Sequence, residues 1–274
     1  MTPENKQTFK VAVTLCLVCS VVVSSLAVGL KGIQEAQKEA FRQQSILSAA
    51  GLWKDGANPG ELFKAKITAV GLDLEDYKPE AGELTEAKFD MAKSLRIPDL
   101  NRMIPQADDV AGLKKMEKYS IVYQIKDNDD KLATLVLPIR GRGLWSTLYG
   151  FIALDVKDIA EGPEHVTVAG LTYYKHGETP GLGGEVDNKL WKAKWPGKLV
   201  FDENWAVKAE VSKTATTDYQ VDALSGATLT SNGVSNMLQF WLGQNGFGPY
   251  LKNLAGTPKV KEPQTALLSE SPTK

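Results

Sequence analysis

Val11 to Leu30 holds no charged residue, and Lys10 and Lys31 bracket it. Twenty residues at about 1.5 Å each span roughly 30 Å, the thickness of a bilayer's hydrocarbon core. A cleaved signal peptide has a shorter apolar core, about 7–15 residues. The run therefore predicts an uncleaved transmembrane helix over 11–30, with a cleaved signal or a buried helix of a soluble protein as the alternatives, and the shortness of residues 1–10 before a large domain favours a cytoplasmic tail there. No second apolar run approaches that length. From Gly32 to Ala50 the pattern is amphipathic: Ala36, Ala40, Phe41, Ile46 and Leu47 share one face, and Gly51 is a natural stop. This predicts that the membrane helix continues into the domain that follows.

Residues 52–115 are mixed, with Pro59, Pro79, Pro98 and Pro105 as breakers. A hairpin comes next: Ser120–Ile125 and Leu132–Leu137 flank the turn cluster Asp127-Asn-Asp-Asp. Tyr149 to Val156, Val166 to Tyr174 and Trp205 to Val211 read as further strands. Asp187 to Trp195 reads as a short helix ended by Pro196-Gly197. Thr228 to Leu242 reads as a longer one, with Val234, Met237, Leu238 and Trp241 on one side and Gly246 and Pro249 as stops. The fold class expected is α+β: one N-terminal transmembrane helix, then an α+β domain with a mixed or antiparallel sheet. Residues 31–115 form its N-terminal part, 116–250 its main part, and 251–274 a polar, mobile tail.

Acids and bases nearly cancel, leaving a net charge of −1 over 274 residues. No basic field exists to hold nucleic acid. Both cysteines, Cys16 and Cys19, lie inside the apolar run, so a disulfide framework or a cysteine-held metal cluster is excluded for the domain. They read as two small apolar residues of a membrane helix. Lys6 and Lys10 before the span are matched by Lys31, Lys38 and Arg42 after it, so charge does not orient it. His165 and His176 read as ordinary surface or core residues, and no metal site is expected. Gly141-x-Gly143 and Gly181-x-Gly183-Gly184 lack the spacing of a dinucleotide fingerprint, and no phosphate-binding P-loop occurs.

The stretch that carries chemistry is Asp222-Ala-Leu-Ser225-Gly226-Ala227-Thr228-Leu-Thr230-Ser231. It is a loop of small polar residues running into a helix. Free N–H groups and the positive end of the helix dipole suit a phosphate there. A hydroxyl in the first turn could then carry a phosphoryl group as an ester. The plainer alternative is that these hydroxyls only cap the helix.

Asp-x-x-Ser-Gly-Ala-Thr at 222–228 resembles the flavinylation motif of bacterial flavin-carrying membrane subunits. His176-Gly-Glu178-Thr179-Pro180-Gly181-Leu182-Gly183 and Gly141-Arg-Gly143-Leu144-Trp145 resemble two further hallmarks of the same FMN-binding domain, in the same order. With the single anchor, about residues 5–250 resemble the C-subunit family of Na+-translocating NADH:quinone reductases. The nearest alternative is the G subunit of Rnf ferredoxin:NAD complexes. A membrane-tethered flavin sensor and a plain anchor with unmodified Thr228 are other classes.

The resemblance implies an FMN-binding domain over 116–250, with FMN joined to Thr228 by a phosphoester. A separate magnesium-dependent flavin transferase would install it from FAD. It also implies a single-pass protein of the bacterial inner membrane, in contact with lipid, with its domain in the periplasm. Its partners would be the other subunits of the complex, within which the flavin relays electrons. Ser225, Gly226 and Ala227 would shape the phosphate loop, with Thr230 and Ser231 as hydroxyls outside the acceptor position. Trp145 and Leu182 would wall the flavin ring, with ordinary core as the alternative for Trp145. Glu178 and Thr179 would meet its polar edge, and Pro180-Gly181 would turn the backbone and Gly183 toward it. Asp222 is electrostatically awkward, since a carboxylate beside a phosphodiester repels it by up to a few kcal/mol where water is scarce. It would serve recognition by the transferase or act as a turn aspartate.

Overall fold

The computed structural model describes residues 2–79 and 89–256. Of the polar tail expected over 251–274, residues 257–274 lie outside the described residues, and residues 251–256 belong instead to a helix that buries Leu251.

A single helix, α1 (Pro3–Ala49), joins the apolar run to the amphipathic stretch without a break. Thr2 caps it, accepting from the Asn5 N–H, and Pro3 sits at its first turn, where no N–H is needed. Val11, Leu15, Val18, Val22, Leu26 and Leu30 are exposed, and burial begins only at Ser45, Ile46 and Leu47. The helix thus has two environments, one apolar on every side and one packed into the domain. It is long and apolar enough to cross a membrane.

The remaining elements follow in chain order: α2 (Pro59–Lys66), β1 (Thr68–Asp73), α3 (Met91–Ser94), β2 (Asn101–Met103), β3 (Lys115–Glu117), β4 (Tyr119–Lys126), β5 (Leu132–Arg142), β6 (Thr147–Asp155), β7 (Thr167–Lys175), α4 (Lys189–Lys192), β8 (Glu210–Ser212), β9 (Gln220–Asp222), α5 (Thr228–Leu242) and α6 (Gly248–Gly256). Strands β1-β4-β5-β6-β7 form one antiparallel sheet in that order. The predicted hairpin is β4–β5: the Asp127 carboxylate accepts from the N–H groups of Asp129 and Lys131, and Asp130 takes a positive φ of 63°.

Both faces of this sheet are buried. On one, Ile121, Tyr123, Val136, Phe151 and Ala153 pack against Ile46, Leu47 and Phe63. Gly170 of β7 lets the end of α1 approach, because a Cβ there would run into the Ala49 carbonyl. On the other, Leu135, Leu137 and Ile139 pack against Met237, Leu238 and Trp241 of α5. Burial on both faces explains why β5 reads as a continuous apolar run rather than an alternation. The Trp241 indole donates to the Arg140 carbonyl at 2.7 Å, and the Arg140 guanidinium, buried against Glu117 at 2.7 Å, lies over its ring.

Three expectations change. The helix expected over 187–195 is a 3₁₀ turn (Gly183–Asp187) followed by only four residues of α4, because Asn188 accepts from the Leu190 N–H and starts the helix afresh. The strand expected over 205–211 shrinks to β8, because Trp205 sits at φ 62° in a turn held by the Asp202 carboxylate. Pro249, expected to end a helix, starts α6, whose Tyr250 and Leu251 are buried.

Candidate functional site

Three loops meet where α5 begins. The first is the turn Leu224–Ala227, closed by the Ala227 N–H on the Leu224 carbonyl at 3.1 Å. Gly226 supplies its positive φ of 68°. Ala227 is the N-cap residue, and no side chain caps the helix. The N–H groups of the first turn are therefore left open, as a bound anion requires. Ser231 does not cap either: its hydroxyl, 1% exposed as a residue, accepts from the Leu224 N–H at 3.0 Å and ties the turn to the helix. Thr228 is exposed, as are Ser225 and Gly226 before it. Leu229 beside it is 59% exposed.

The second loop is His176–Gly184. Thr179-Pro180-Gly181-Leu182 form a turn with the Leu182 N–H on the Thr179 carbonyl at 3.1 Å, Pro180 in the second place and Gly181 at φ 75°. Leu182, 44% exposed, stands so close to Gly226 that a Cβ there would meet its Cδ2 at 3.0 Å. The two turns thus touch. Thr179 is exposed. His176 accepts from the Glu178 N–H through Nδ1 and meets Asp187 through Nε2 at 2.8 Å, which puts its proton on Nε2. Among the described residues no cluster suited to a metal occurs.

The third loop, Gly143–Ser146, joins β5 to β6 and closes with the Gly143 N–H on the Ser146 carbonyl at 2.8 Å. It carries Trp145, which is 70% exposed. The alternative that Trp145 is a core residue is thereby removed. Leu144 is exposed beside it.

Glu178 binds the three loops together. Its Oε1 accepts from the N–H groups of Trp145 and Ser146 and from the Ser146 hydroxyl, each at 3.0 Å. Its Oε2 accepts from the Leu144 N–H at 3.1 Å and from the Thr230 hydroxyl at 2.7 Å. The group is buried, and five donors occupy it. The expected contact between Glu178 and a ligand's polar edge is therefore replaced by a contact with the chain itself. Thr230, 1% exposed, is likewise committed inward. The glycines of the motifs make room for this carboxylate: a Cβ on Gly143 would fall 2.7 Å from Oε1, and one on Gly183 would fall 2.8 Å from Oε2 and 2.5 Å from the Thr230 hydroxyl.

Burial alone would raise the Glu178 pKa, but the hydrogen bonds from Thr230, Ser146 and Trp145 outweigh it and hold the group below its ordinary 4.5. A carboxylate held lower in the folded chain stabilises the fold fully above its unfolded pKa and loses that contribution as pH falls through the folded one. Denaturant midpoints should therefore hold steady from neutral pH down to 4.5 and fall below it. Glu178→Gln should make that fall shallower, as a pH series of urea titrations would show.

Asp222 is also accounted for. Its carboxylate meets Lys194 Nζ at 2.8 Å and accepts from the Ala215 N–H at 3.0 Å, while its carbonyl accepts from the Trp191 indole at 2.8 Å. The Lys194 ammonium, then the Ala215 N–H, hold it below the usual carboxylate range. A lysine-paired carboxylate repels a nearby phosphate far less than a bare one. Lys194 and Ser146 were not legible as site residues: 28 positions separate Lys194 from Asp222, and Ser146 follows the recognisable motif.

Residues 143–243 match the FMN-binding domain family. The C subunit of the Na+-translocating NADH-quinone reductase of Pseudomonas aeruginosa is 44% identical over 264 residues, 92% of this chain and 96% of the relative. This chain belongs to the C-subunit family of Na+-translocating NADH-quinone reductases. The family's Yersinia pestis member is 41% identical over 90% of this chain and 92% of its own length. The crystal structure of NqrC from Shewanella oneidensis aligns with a TM-score of 0.72 at 29% identity, covering 80% of this chain and 98% of that one. The C subunit from Parabacteroides distasonis, at 22% identity and a TM-score of 0.61, shares the fold. The G-type alternative gives way to this C-type membership.

Proposed function

We propose that the chain is the FMN-carrying subunit of a Na+-translocating NADH-quinone reductase, with the FMN phosphate esterified to Oγ of Thr228. The observation that carries this reading is the state of the hydroxyls at the start of α5. Thr228 faces solvent at an uncapped helix N-terminus, whereas the hydroxyls of Thr230 and Ser231 are buried and engaged.

The residues present fit the group. The open N–H groups of the first turn can take phosphate oxygens. The exposed apolar side chains of Trp145, Leu182 and Leu229 offer a wall for a flat ring, and the Thr179 hydroxyl offers a polar contact. Gly226 and Ala227 keep the approach to Thr228 narrow in side-chain bulk, and Ser225 adds an exposed hydroxyl on the turn before the helix. Attachment forms the Thr228 Oγ–P bond and breaks the P–O–P bond of FAD, releasing AMP and the hydroxyl proton with no change in redox state. A flavin transferase performs it, and Asp222, six residues before the acceptor and paired with Lys194, is the charge such an enzyme would recognise. Bound FMN supplies reversible electron uptake and release. The chain supplies position and a tether that keeps the local flavin concentration independent of its surroundings.

The exposed apolar length of α1 supports a membrane span with lipid around residues 11–30, and membership of the C-subunit family supports the bacterial inner membrane, a periplasmic domain and the other subunits of the complex as partners. Protein purified beside a flavin transferase should stay yellow and fluorescent after unfolding and gel filtration. A colourless unfolded chain would overturn the proposal. Because Trp145 is mostly exposed, Trp145→Ala should change stability by no more than about 0.5 kcal/mol. It should nonetheless raise native flavin fluorescence toward that of the unfolded chain, by removing an indole quencher; unchanged emission would place the ring elsewhere.

A further inference from the structure

We infer that Glu178 is a positioning residue that sets both halves of the flavin site at once. It fixes the first turn of α5, and with it Thr228, through the Thr230 hydroxyl. It fixes the loop carrying Leu144 and Trp145 through three consecutive backbone N–H groups. This rests on the reading of Thr228 as the attachment point.

Three features of the geometry carry it. Converging backbone N–H groups form the kind of nest that binds a free anion, and here a carboxylate of the chain itself fills it. Three of its five partners are backbone N–H groups, which can only donate, and they fall on both oxygens, so only a side chain that accepts at both positions satisfies all three. The partners also divide by function. One is two residues from Thr228 on α5, and the others belong to the loop that presents Trp145. Glutamine has the same bulk, but its amide NH2 must face either the Leu144 N–H and Thr230 hydroxyl or the Trp145 and Ser146 N–H groups. The Thr230 hydroxyl can turn to accept, whereas a backbone N–H cannot. Ser146 extends the link, because its hydroxyl also accepts from the Gly177 N–H at 2.7 Å.

The test uses the full-length chain in membranes, produced with a flavin transferase and FAD. One readout is the time course of flavin on the denatured band. The second is the visible circular dichroism of the loaded flavin, which reports its contact with Trp145 rather than the chain's stability. Glu178→Gln should slow loading roughly ten- to a hundredfold, the scale set by misplacing a reacting group by about an ångström. The fraction that does load should show an altered visible dichroism. Thr230→Val removes only the helix arm, so it should slow loading while leaving the dichroism alone. Thr230→Ser keeps the hydroxyl and should load like the wild type.

Wild-type loading rates in both Glu178→Gln and Thr230→Val would overturn the inference. So would an unaltered dichroism in Glu178→Gln, which would remove the loop half. Should Glu178→Gln fail to fold, Thr230→Val against Thr230→Ser decides: equal rates sink it. A wild-type chain that stays colourless would overturn the Thr228 reading itself, and this inference with it.

Discussion

Thr228→Val, made beside a flavin transferase, is expected to lose its covalent flavin completely and to stop electron flow through the assembled complex. Valine matches threonine in shape. The Thr228 side chain is exposed and makes no hydrogen bond among the described residues, so stability should move by no more than about 0.5 kcal/mol. The loss would therefore be chemical rather than structural. Neighbouring hydroxyls offer no substitute. Thr230 donates to Glu178, Ser231 accepts from Leu224, and both are buried. Ser225 is exposed but stands on the turn Leu224–Ala227 before the helix rather than in its first turn. Thr228→Ser keeps an oxygen in place and should load in part. NADH-driven quinone reduction in membranes containing Thr228→Val should fall to background, and activity near that of the wild type would separate this flavin from the electron path.

Gly233→Ala should destabilise the domain, although it replaces glycine with alanine inside a helix. Helix propensity alone favours alanine there by about 1 kcal/mol. The structure reverses the sign. A Cβ on Gly233 would run into the Arg142 carbonyl oxygen and sit 3.3 Å from the Gly143 Cα, so α5 lies directly on the backbone of the β5–β6 loop. Neither backbone can yield cheaply, because Glu178 holds the loop and Met237 packs α5 against Gly141. Overpacking of this kind costs typically about 1–3 kcal/mol. The helix would be pushed from the loop, and Thr228 from Trp145, so loading should fall together with the urea midpoint. An unchanged or higher midpoint would show that α5 does not rest on the loop.

Much of this arrangement was legible in the sequence. The apolar run bracketed by Lys10 and Lys31, the hairpin around Asp127 and the long helix from Thr228 each carry a strong local signal. The three motif loops could be found as motifs. Their convergence could not, because it depends on a carboxylate reaching residues more than 30 positions away in one direction and 50 in the other. Glu178 shows the limit most clearly: residue type and position mark it as a site residue, but only the fold reveals that its oxygens face the chain. Trp205 failed for a local reason, since an aromatic at positive φ inside a turn contradicts its β preference. Pro249 was ambiguous in principle, because proline both follows helices and opens them. Lys194 became visible only when α4 brought it beside β9.

Residues 214–252 contain no lysine or arginine before Lys252, so trypsin releases Ser225, Thr228, Thr230 and Ser231 on one peptide. Fragmentation of that peptide, from protein extracted from membranes that contain a flavin transferase, is the most direct measurement. One FMN mass is expected on fragments that include Thr228 and none on fragments confined to Ser225 or to Thr230 and Ser231. An unmodified peptide, or a flavin carried by any of those other hydroxyls, would contradict it.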